Sequence, residues 1–345
     1  MDSVWSHDEV EFLSRRFGIK QGQRLHSQAE DFHFPENTFL ANGYAPPGGY
    51  VKDFGIIRHE DRFHLFHIDG RPGQKCSVTG DEISFGHAST VDFRRWIRHR
   101  MPLAVGQQPW ESEHVWAPYV HRRDDLFYMF YMGSGQGQTF ISYATSPDLE
   151  IWTRRSEGPI TCAVGRDPFV YDDQGRTILV YTGHGGARVA ACASRDMVHW
   201  EPLPDLINIS DAGAAESASL HRLRDGHVLW FNDYGRKLVG FRAAYALSSD
   251  PYRFDPKDIN EFDFQTDIPG AVASPELPVG KPLPLSIELI ARGDNSWLVA
   301  YFCWHMDRNR LFLGELHWDV QPAQIREIRR PEQMESALRH HTIDI

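Results

Sequence analysis

Five stretches of the chain share one alternation: an apolar, β-branched or aromatic run, a short polar turn, then a second such run. They are VKDFGIIRHEDRFHLFHI (51–68), VWAPYVHRRDDLFYMFYM (115–132), RDPFVYDDQGRTILVYTG (166–183), ESASLHRLRDGHVLWFN (216–232) and IELIARGDNSWLVAYFCW (287–304). The last leads into LFLGELHWD (311–319). Runs of this kind, joined by turn formers, predict antiparallel hairpins. The turns carry Glu60-Asp61, Asp124-Asp125, Gln174-Gly175, Asp225-Gly226 and Gly293-Asp294, all residue types that favour tight turns. TFISYATS (139–146) and VAACAS (189–194) predict third strands for the second and third units.

A second period lies behind the hairpins. Thr90-Val-Asp92-Phe-Arg-Arg-Trp96, Ser146-Pro-Asp148-Leu-Glu-Ile-Trp152 and Ser194-Arg-Asp196-Met-Val-His-Trp200 share one spacing, and Ser248-Ser-Asp250-Pro-Tyr-Arg-Phe254 repeats it with Phe for Trp. From Asp92 to Asp148, Asp196 and Asp250 the steps are 56, 48 and 54 residues. A period near ~50 belongs to propeller blades or solenoids. The sequence shows no capping repeats for a solenoid, whereas a ring leaves no open array of sheet edges. The prediction is an all-β, five-bladed β-propeller with a short, partly helical N-terminal extension. The recurring Asp residues are expected to bond their own turns.

The expected boundaries are an extension over 1–45, a propeller over 46–320 and a C-terminal segment over 321–345. Asp8 to Phe17 is amphipathic and follows Ser6, a helix-capping residue type. Ala45-Pro-Pro-Gly-Gly-Tyr50 separates it from the first blade. Gln324 to Ile328 is strand-like, and one of the two chain ends must supply the outer strand of the last blade. The extension holds Trp5, Phe12, Leu13, Phe17, Phe32, Phe34 and Phe39. So many apolar groups are expected to pack on the propeller wall or on a second subunit, which makes a homo-oligomer through this extension an expectation.

Composition narrows the partners. A net charge of −11 without a Lys/Arg run argues against nucleic acid and anionic membranes. No apolar run approaches the roughly 20 residues of a membrane helix. The start, MDSVWSHDEVEF, has neither a basic nor an apolar signal region, so a cytoplasmic location is expected. Cys76, Cys162, Cys192 and Cys303 are scattered, and no zinc framework, P-loop or dinucleotide fingerprint is present. No metal or other cofactor is expected to be required.

Equivalent positions on the inner strands of a propeller converge on one axis. Asp53 precedes Phe63 by ten residues, Asp167 precedes Thr177 by ten, and Glu216 precedes His227 by eleven. Three carboxylates thus open the first, third and fourth blades. Repulsion and partial burial push such groups apart in pKa, and glycosidic cleavage needs one ionised and one protonated carboxyl. A lone Asp at a strand start is more often a turn residue, and Asp167 could simply pair with Arg166; the repeat phasing favours the chemical reading. Trp116 sits where the second blade would offer a carboxylate, and is either core or a sugar-stacking platform. Trp110 poses the same choice. Glu288 opens the fifth blade, where it either binds sugar or forms a structural ion pair.

These residues carry a resemblance to the five-bladed glycosidase superfamily that includes glycoside hydrolase families 43, 32 and 68. VKDFGIIRHEDRFHLFH resembles the strand bearing the base or nucleophile (Asp53), and VWAPYV the W-A-P segment of family 43 (Trp116, Ala117, Pro118). RDPFVYDDQGRTILVY resembles the R-D-P segment of families 32 and 68 (Arg166, Asp167), and ESASLHRL the strand of the general acid (Glu216). FGHASTVDFRRW resembles a first-blade segment common in family 32. The opening Lys52-Asp53-Phe54-Gly55 departs from the Asn-Asp-Pro-Asn of family 32, and the few residues that follow the fifth blade lead us to expect none of the C-terminal β-sandwich typical of family 32. His305 resembles the channel His that supports a calcium site in some family-43 members, which leaves room for a structural calcium; a hydrogen-bonded His is the competing reading.

The resemblance implies hydrolysis of a small furanoside or pyranoside, arabinoside- or xyloside-like. Asp53 is base or nucleophile, Glu216 the acid, Asp167 tunes Glu216 and binds a hydroxyl, and Trp116, Arg166, Glu288, Trp110 and His305 are candidate sugar contacts. The family-43-like reading inverts configuration and is favoured. The alternatives are a retaining β-fructosidase or transfructosylase with Asp53 as nucleophile, and, in another class, a non-catalytic carbohydrate-binding propeller.

Overall fold

A computed structural model of the chain describes residues 11–12, 15–16, 30–33, 43–76, 78–209, 214–234, 241–265, 285–291, 297–305, 308–318, 322–328 and 330–339. Its strands form five sheets, one per blade. The inner strands are Phe54–His59, His114–Arg123, Gly165–Asp173, Ala214–Leu223 and Leu285–Ala291. Each touches the next, and the fifth returns to the first, so the ring is closed as predicted. Within a blade, consecutive strands pair antiparallel; in the second blade, for example, His114–Arg123, Leu126–Gly135 and Gln138–Ser146 run side by side.

Apolar residues on both faces of the middle strands explain why blades stack. Met129 and Tyr131 pack toward the first blade with Phe66 and Phe85, whereas Phe130 packs toward the third with Leu179 and Tyr181. The alternation along one strand thus feeds two interblade cores. The repeated Asp motif is the turn that leaves each third strand. Asp148 Oδ1 accepts from the amides of Glu150 and Ile151, each at 2.9 Å, and Asp196 Oδ1 from those of Val198 and His199 at 2.9 and 2.8 Å. The indoles of Trp152 and Trp200 donate back to the carbonyls of Leu149 and Met197.

The two chain ends divide the work of closure. Gln324–Glu327 pairs with Arg308–His317 and so supplies the fourth strand of blade five, with Asp263–Gln265 parallel outside it. Glu30–His33 instead extends blade one, beside Arg95–Arg98. Tyr44 stitches the ring: its amide and carbonyl pair with the carbonyl and amide of Leu311 in blade five, both at 2.8 Å. Its ring stacks on Trp96 of blade one at 4.0 Å.

A helix over Pro331–Arg339 follows, which the polar reading of the C-terminal segment missed. It buries Met334 and Ala337 in the core shared by blades one and five, a helical i, i+3 spacing on one face. Of the expected N-terminal helix, residues 11, 12, 15 and 16 are helical, and Phe12 packs against the core between blades one and two. Trp5, Leu13, Phe17, Phe34 and Phe39 lie outside the described residues.

Because Tyr44 is fully buried and bridges the first and last blades, Tyr44→Ala is expected to cost about 3–5 kcal/mol, as large aromatic truncations do. Urea or thermal unfolding measures this. Leu126→Ala, at an exposed hairpin end, serves as control and should stay within about 0.5 kcal/mol.

Candidate active site

The five inner strands begin with the same local distortion. Asp53, Ala117, Asp167, Ser217 and Ser286 all have left-handed backbone, with φ of 38°, 50°, 56°, 51° and 44°. In blades two to five the ladder slips at the same point, between Trp116 and Tyr119, Arg166 and Phe169, Glu216 and Ser219, and Leu285 and Glu288. Such non-glycine conformations cost on the order of 1–3 kcal/mol each and persist where surrounding structure over-determines them. All five distorted residues line one pocket at the channel mouth. Two residues further along the strands of blades two to five, Tyr119, Phe169, Ser219 and Glu288 form its deeper wall.

This geometry corrects the phasing expected from the sequence. Asp53 and Asp167 are in phase, but Glu216 lies one residue ahead of the channel position, which Ser217 fills. The eleven-residue count to His227, against ten in the other two blades, is that offset. In blade two Ala117, not Trp116, faces the pocket. Trp116 shares the phase of Glu216 and stacks on His114 at 4.5 Å. Blade five opens with Ser286, and Glu288 sits one layer deeper because the bulge intervenes.

Trp110 and His305 are not brought into the pocket. Trp110 packs over Tyr131 in the core between blades one and two. His305 is fully buried in blade five, 5.8 Å from Phe312. Ser217, Ser286 and Thr182 went unrecognised in the sequence. A usable signal existed: Asp53, Ala117 and Asp167 each stand seven residues before the left-handed turn residues Glu60, Asp124 and Gln174. The same count from Gly293 leads to Ser286, and the ten-residue count back from His227 leads to Ser217.

The polar groups at the mouth are interlocked. Arg166 donates to Glu216 Oε1, and its Nε lies 3.7 Å from Asp167 Oδ2. Asp167 Oδ2 accepts from the Ser217 amide at 3.1 Å and the Thr182 hydroxyl at 3.2 Å. Asp53 Oδ1 accepts from Ser286 Oγ at 3.0 Å, and Ser286 Oγ is 3.0 Å from Ser217 Oγ. Behind Asp53, Lys52 Nζ and the Tyr50 hydroxyl both bond Glu82 Oε1, at 3.1 and 2.6 Å.

Burial dominates the acidity of these groups. It pushes the Asp53 carboxyl up to about 7, against the pull of Lys52 and with the help of Asp167, Glu82 and Glu216. It pushes Asp167 up to about 6, with Glu216 adding and Arg166 and the two donors opposing. Burial alone holds Glu288 well above the usual carboxylate range. Carboxyls that exchange protons near neutrality suit acid–base chemistry.

Outside the pocket, His64, His87 and His99 bring ring nitrogens within 4.8 Å of one another between blades one and two. The His87 and His99 rings stack at 4.1 Å, 18° from parallel. Ring-nitrogen lone pairs lie in the ring plane, so two stacked rings do not aim at one ion. The group reads as a hydrogen-bonded cluster: His64 Nδ1 meets His87 Nε2 at 2.9 Å, and His99 is held by Glu150 and Ser89.

Residues 44–267 match the family described as glycosyl hydrolases family 32 N-terminal domain. Among solved structures, RS223-β-xylosidase is 14% identical with a TM-score of 0.60, over 81% of this chain and 95% of that one. An endo-arabinase from Bacteroides thetaiotaomicron VPI-5482 is 14% identical with a TM-score of 0.59, over 82% and 96%. A Bombyx mori GH32 β-fructofuranosidase is 17% identical with a TM-score of 0.60, over 80% of this chain but 62% of that one. These likenesses support the fold. A 70-residue stretch is also 36% identical to acetyl-coenzyme A carboxylase carboxyl transferase subunit alpha of Synechococcus sp. (strain CC9311), over 20% of this chain and 21% of that protein. The chain thus spans about a fifth of the length of that curated relative, too little to carry a family.

The raised carboxyls have a consequence for stability. Unfolded Asp titrates near 3.9, so the folded protein holds protons that the unfolded chain has released. The stability contributed by Asp53 and Asp167 is full below about pH 4 and is lost as pH rises through about 6 and 7. Asp53→Asn removes one such titration at nearly constant volume. Its Tm should exceed that of the wild type by roughly 3–6 °C at pH 8 and by little at pH 4. Calorimetry at the two pH values checks this, and an unchanged Tm at pH 8 would show that Asp53 is not desolvated.

Proposed function

The chain belongs to the family of glycosyl hydrolases family 32 N-terminal domains, and we propose that it cleaves its glycosidic bond at the channel mouth with Asp53 as nucleophile and Glu216 as acid. The observation that carries this reading is the convergence of the buried Asp53 and Asp167 carboxyls with Glu216, the last gripped by Arg166. An Asp53 oxygen attacks the anomeric carbon as the glycosidic C–O bond breaks, and the Glu216 proton goes to the leaving oxygen. Glu216, now a carboxylate, takes a proton from water as the water oxygen attacks the same carbon and releases Asp53. Asp167 accepts a sugar hydroxyl and sits beside the arginine that holds Glu216.

Inversion was favoured from the W-A-P segment. Retention takes its place here because the matched family is 32, the retaining branch of the resemblance. For the same reason a β-fructofuranoside comes first as substrate, supported by the Bombyx mori β-fructofuranosidase fold. Arabinosides and xylosides stand second, on the endo-arabinase and β-xylosidase folds. Tyr119 and Phe169, 4.7 Å apart on the deeper wall, offer apolar surface to the sugar.

Sucrose, aryl arabinofuranosides and aryl xylosides form the test panel. Asp53→Asn should remove turnover by at least about 10²–10⁴-fold. Glu216→Gln should lose as much on sucrose but far less on an aryl glycoside, whose leaving group needs little protonation. NMR of the first-formed anomer should show retention. An inverted first product would make Asp53 the base that activates water, and wild-type turnover by Asp53→Asn would remove it from the chemistry.

A further inference from the structure

The geometry points to Ser217 and Ser286 as positioning residues: a two-hydroxyl chain that fixes the reacting oxygen of Asp53 and ties it to the Asp167–Glu216 side of the mouth. The inference rests on the proposed roles of these carboxyls. Ser286 Oγ donates to Asp53 Oδ1 at 3.0 Å. A serine has one hydroxyl hydrogen, so with Asp53 ionised the 3.0 Å contact between the two hydroxyls must run from Ser217 to Ser286. The direction of the chain is thereby set: Ser217 donates to Ser286, and Ser286 to Asp53. Donation along such a chain strengthens each bond toward the charged end.

Two consequences follow for catalysis. Oδ1 of Asp53 holds the Ser286 hydrogen bond, which leaves Oδ2 the freer oxygen to meet the anomeric carbon. Ser217 is also tied to the residues that carry the other two carboxyls. It follows Glu216 in the chain, and its amide donates to Asp167 Oδ2 at 3.1 Å. One residue therefore relates the spacing of nucleophile, acid and sugar-binding Asp. Both serines are held in left-handed backbone, φ 51° and 44°, at the two blade openings that carry no carboxylate in phase and have polar side chains. The deviation from ordinary strand geometry is what turns their hydroxyls toward each other across the seam between blades four and five.

Ser286→Ala, Ser217→Ala and the double variant test this through pH profiles of kcat and kcat/KM. The charged groups acting on Asp53 are Lys52, Glu82, Asp167 and Glu216, and none is altered. Ser286→Ala should lower kcat about ten-fold with little change in KM. Loss of a donor to the carboxylate should move the acid limb of kcat/KM up by about one pH unit. Ser217→Ala should move it less, in the same direction, and should add nothing in the Ser286→Ala background because the chain is already cut. Ser286→Gly removes the same hydroxyl and relieves the left-handed strain, so it gives the same reading if the Ala variant folds poorly. A wild-type acid limb in both Ser286 variants, or additive effects of the two serines, would overturn the inference. Asp53→Asn with wild-type turnover would overturn instead the proposed function beneath it. An inactive Asp53→Asn beside an unmoved Ser286→Ala limb leaves that function standing and refutes the chain.

Discussion

The chemistry at the mouth depends on one backbone constraint, the left-handed residue at the start of every inner strand. Five strands converging on an axis bring their first residues together, and regular strand geometry would turn alternate side chains into the blades. The kink, joined by a bulge in blades two to five, lets one residue near the start of each strand project into the opening while the residue behind it still joins the blade. Because the kink recurs in all five blades, it is a property of the ring. What differs between blades is the side chain placed on it: Asp, Ala, Asp, Ser and Ser. The scaffold supplies five equivalent positions, and the sequence decides which carry charge.

Desolvation then sets how those charges behave. Asp53 and Asp167 lose more from burial than they regain from Lys52 and Arg166, which is why both rise toward neutrality. Lys52 is itself engaged by Glu82, so it is a weaker counter-ion to Asp53 than its place in the chain suggests. A carboxyl held near neutral pKa is a poorer ion pair and a more responsive reactant. The strained backbone and the raised carboxyls both lower stability at the site that does the work, a pattern expected of functional sites.

Most of the fold was legible because it is repetitive. Hairpin alternation and the Asp-x-x-x-Trp turn each recur, so an error in one blade is corrected by the others. The helix over Pro331–Arg339 was not legible, since two buried residues on one short face make a weak pattern among charged neighbours. The site was legible to within one residue. Asp53 and Asp167 were found from their distance to the second strand. Glu216 was found with them, and its eleven-residue count to His227, against ten for the other two, already held the one-position offset. Trp116 admitted both a core and a sugar-platform reading, and in the structure Ala117 lines the pocket instead. Ser217 and Ser286 were missed because small polar residues at strand starts look like ordinary turn residues.

The offset of Glu216 has a physical rationale. Had it stood in phase, three buried carboxyls would face one another around a narrow opening, with Lys52 already committed to Glu82. Like charges so placed cannot all ionise, and the free energy of the folded state would rise with every proton lost. One residue earlier, Glu216 meets Arg166, which stands at the same rim position in the neighbouring blade and pairs with it directly. The vacated in-phase position goes to Ser217, a neutral residue whose amide donates to Asp167 and whose hydroxyl meets that of Ser286. A single-residue shift thus moves one carboxyl from repulsion to a cation and puts a donor where the third charge would have been.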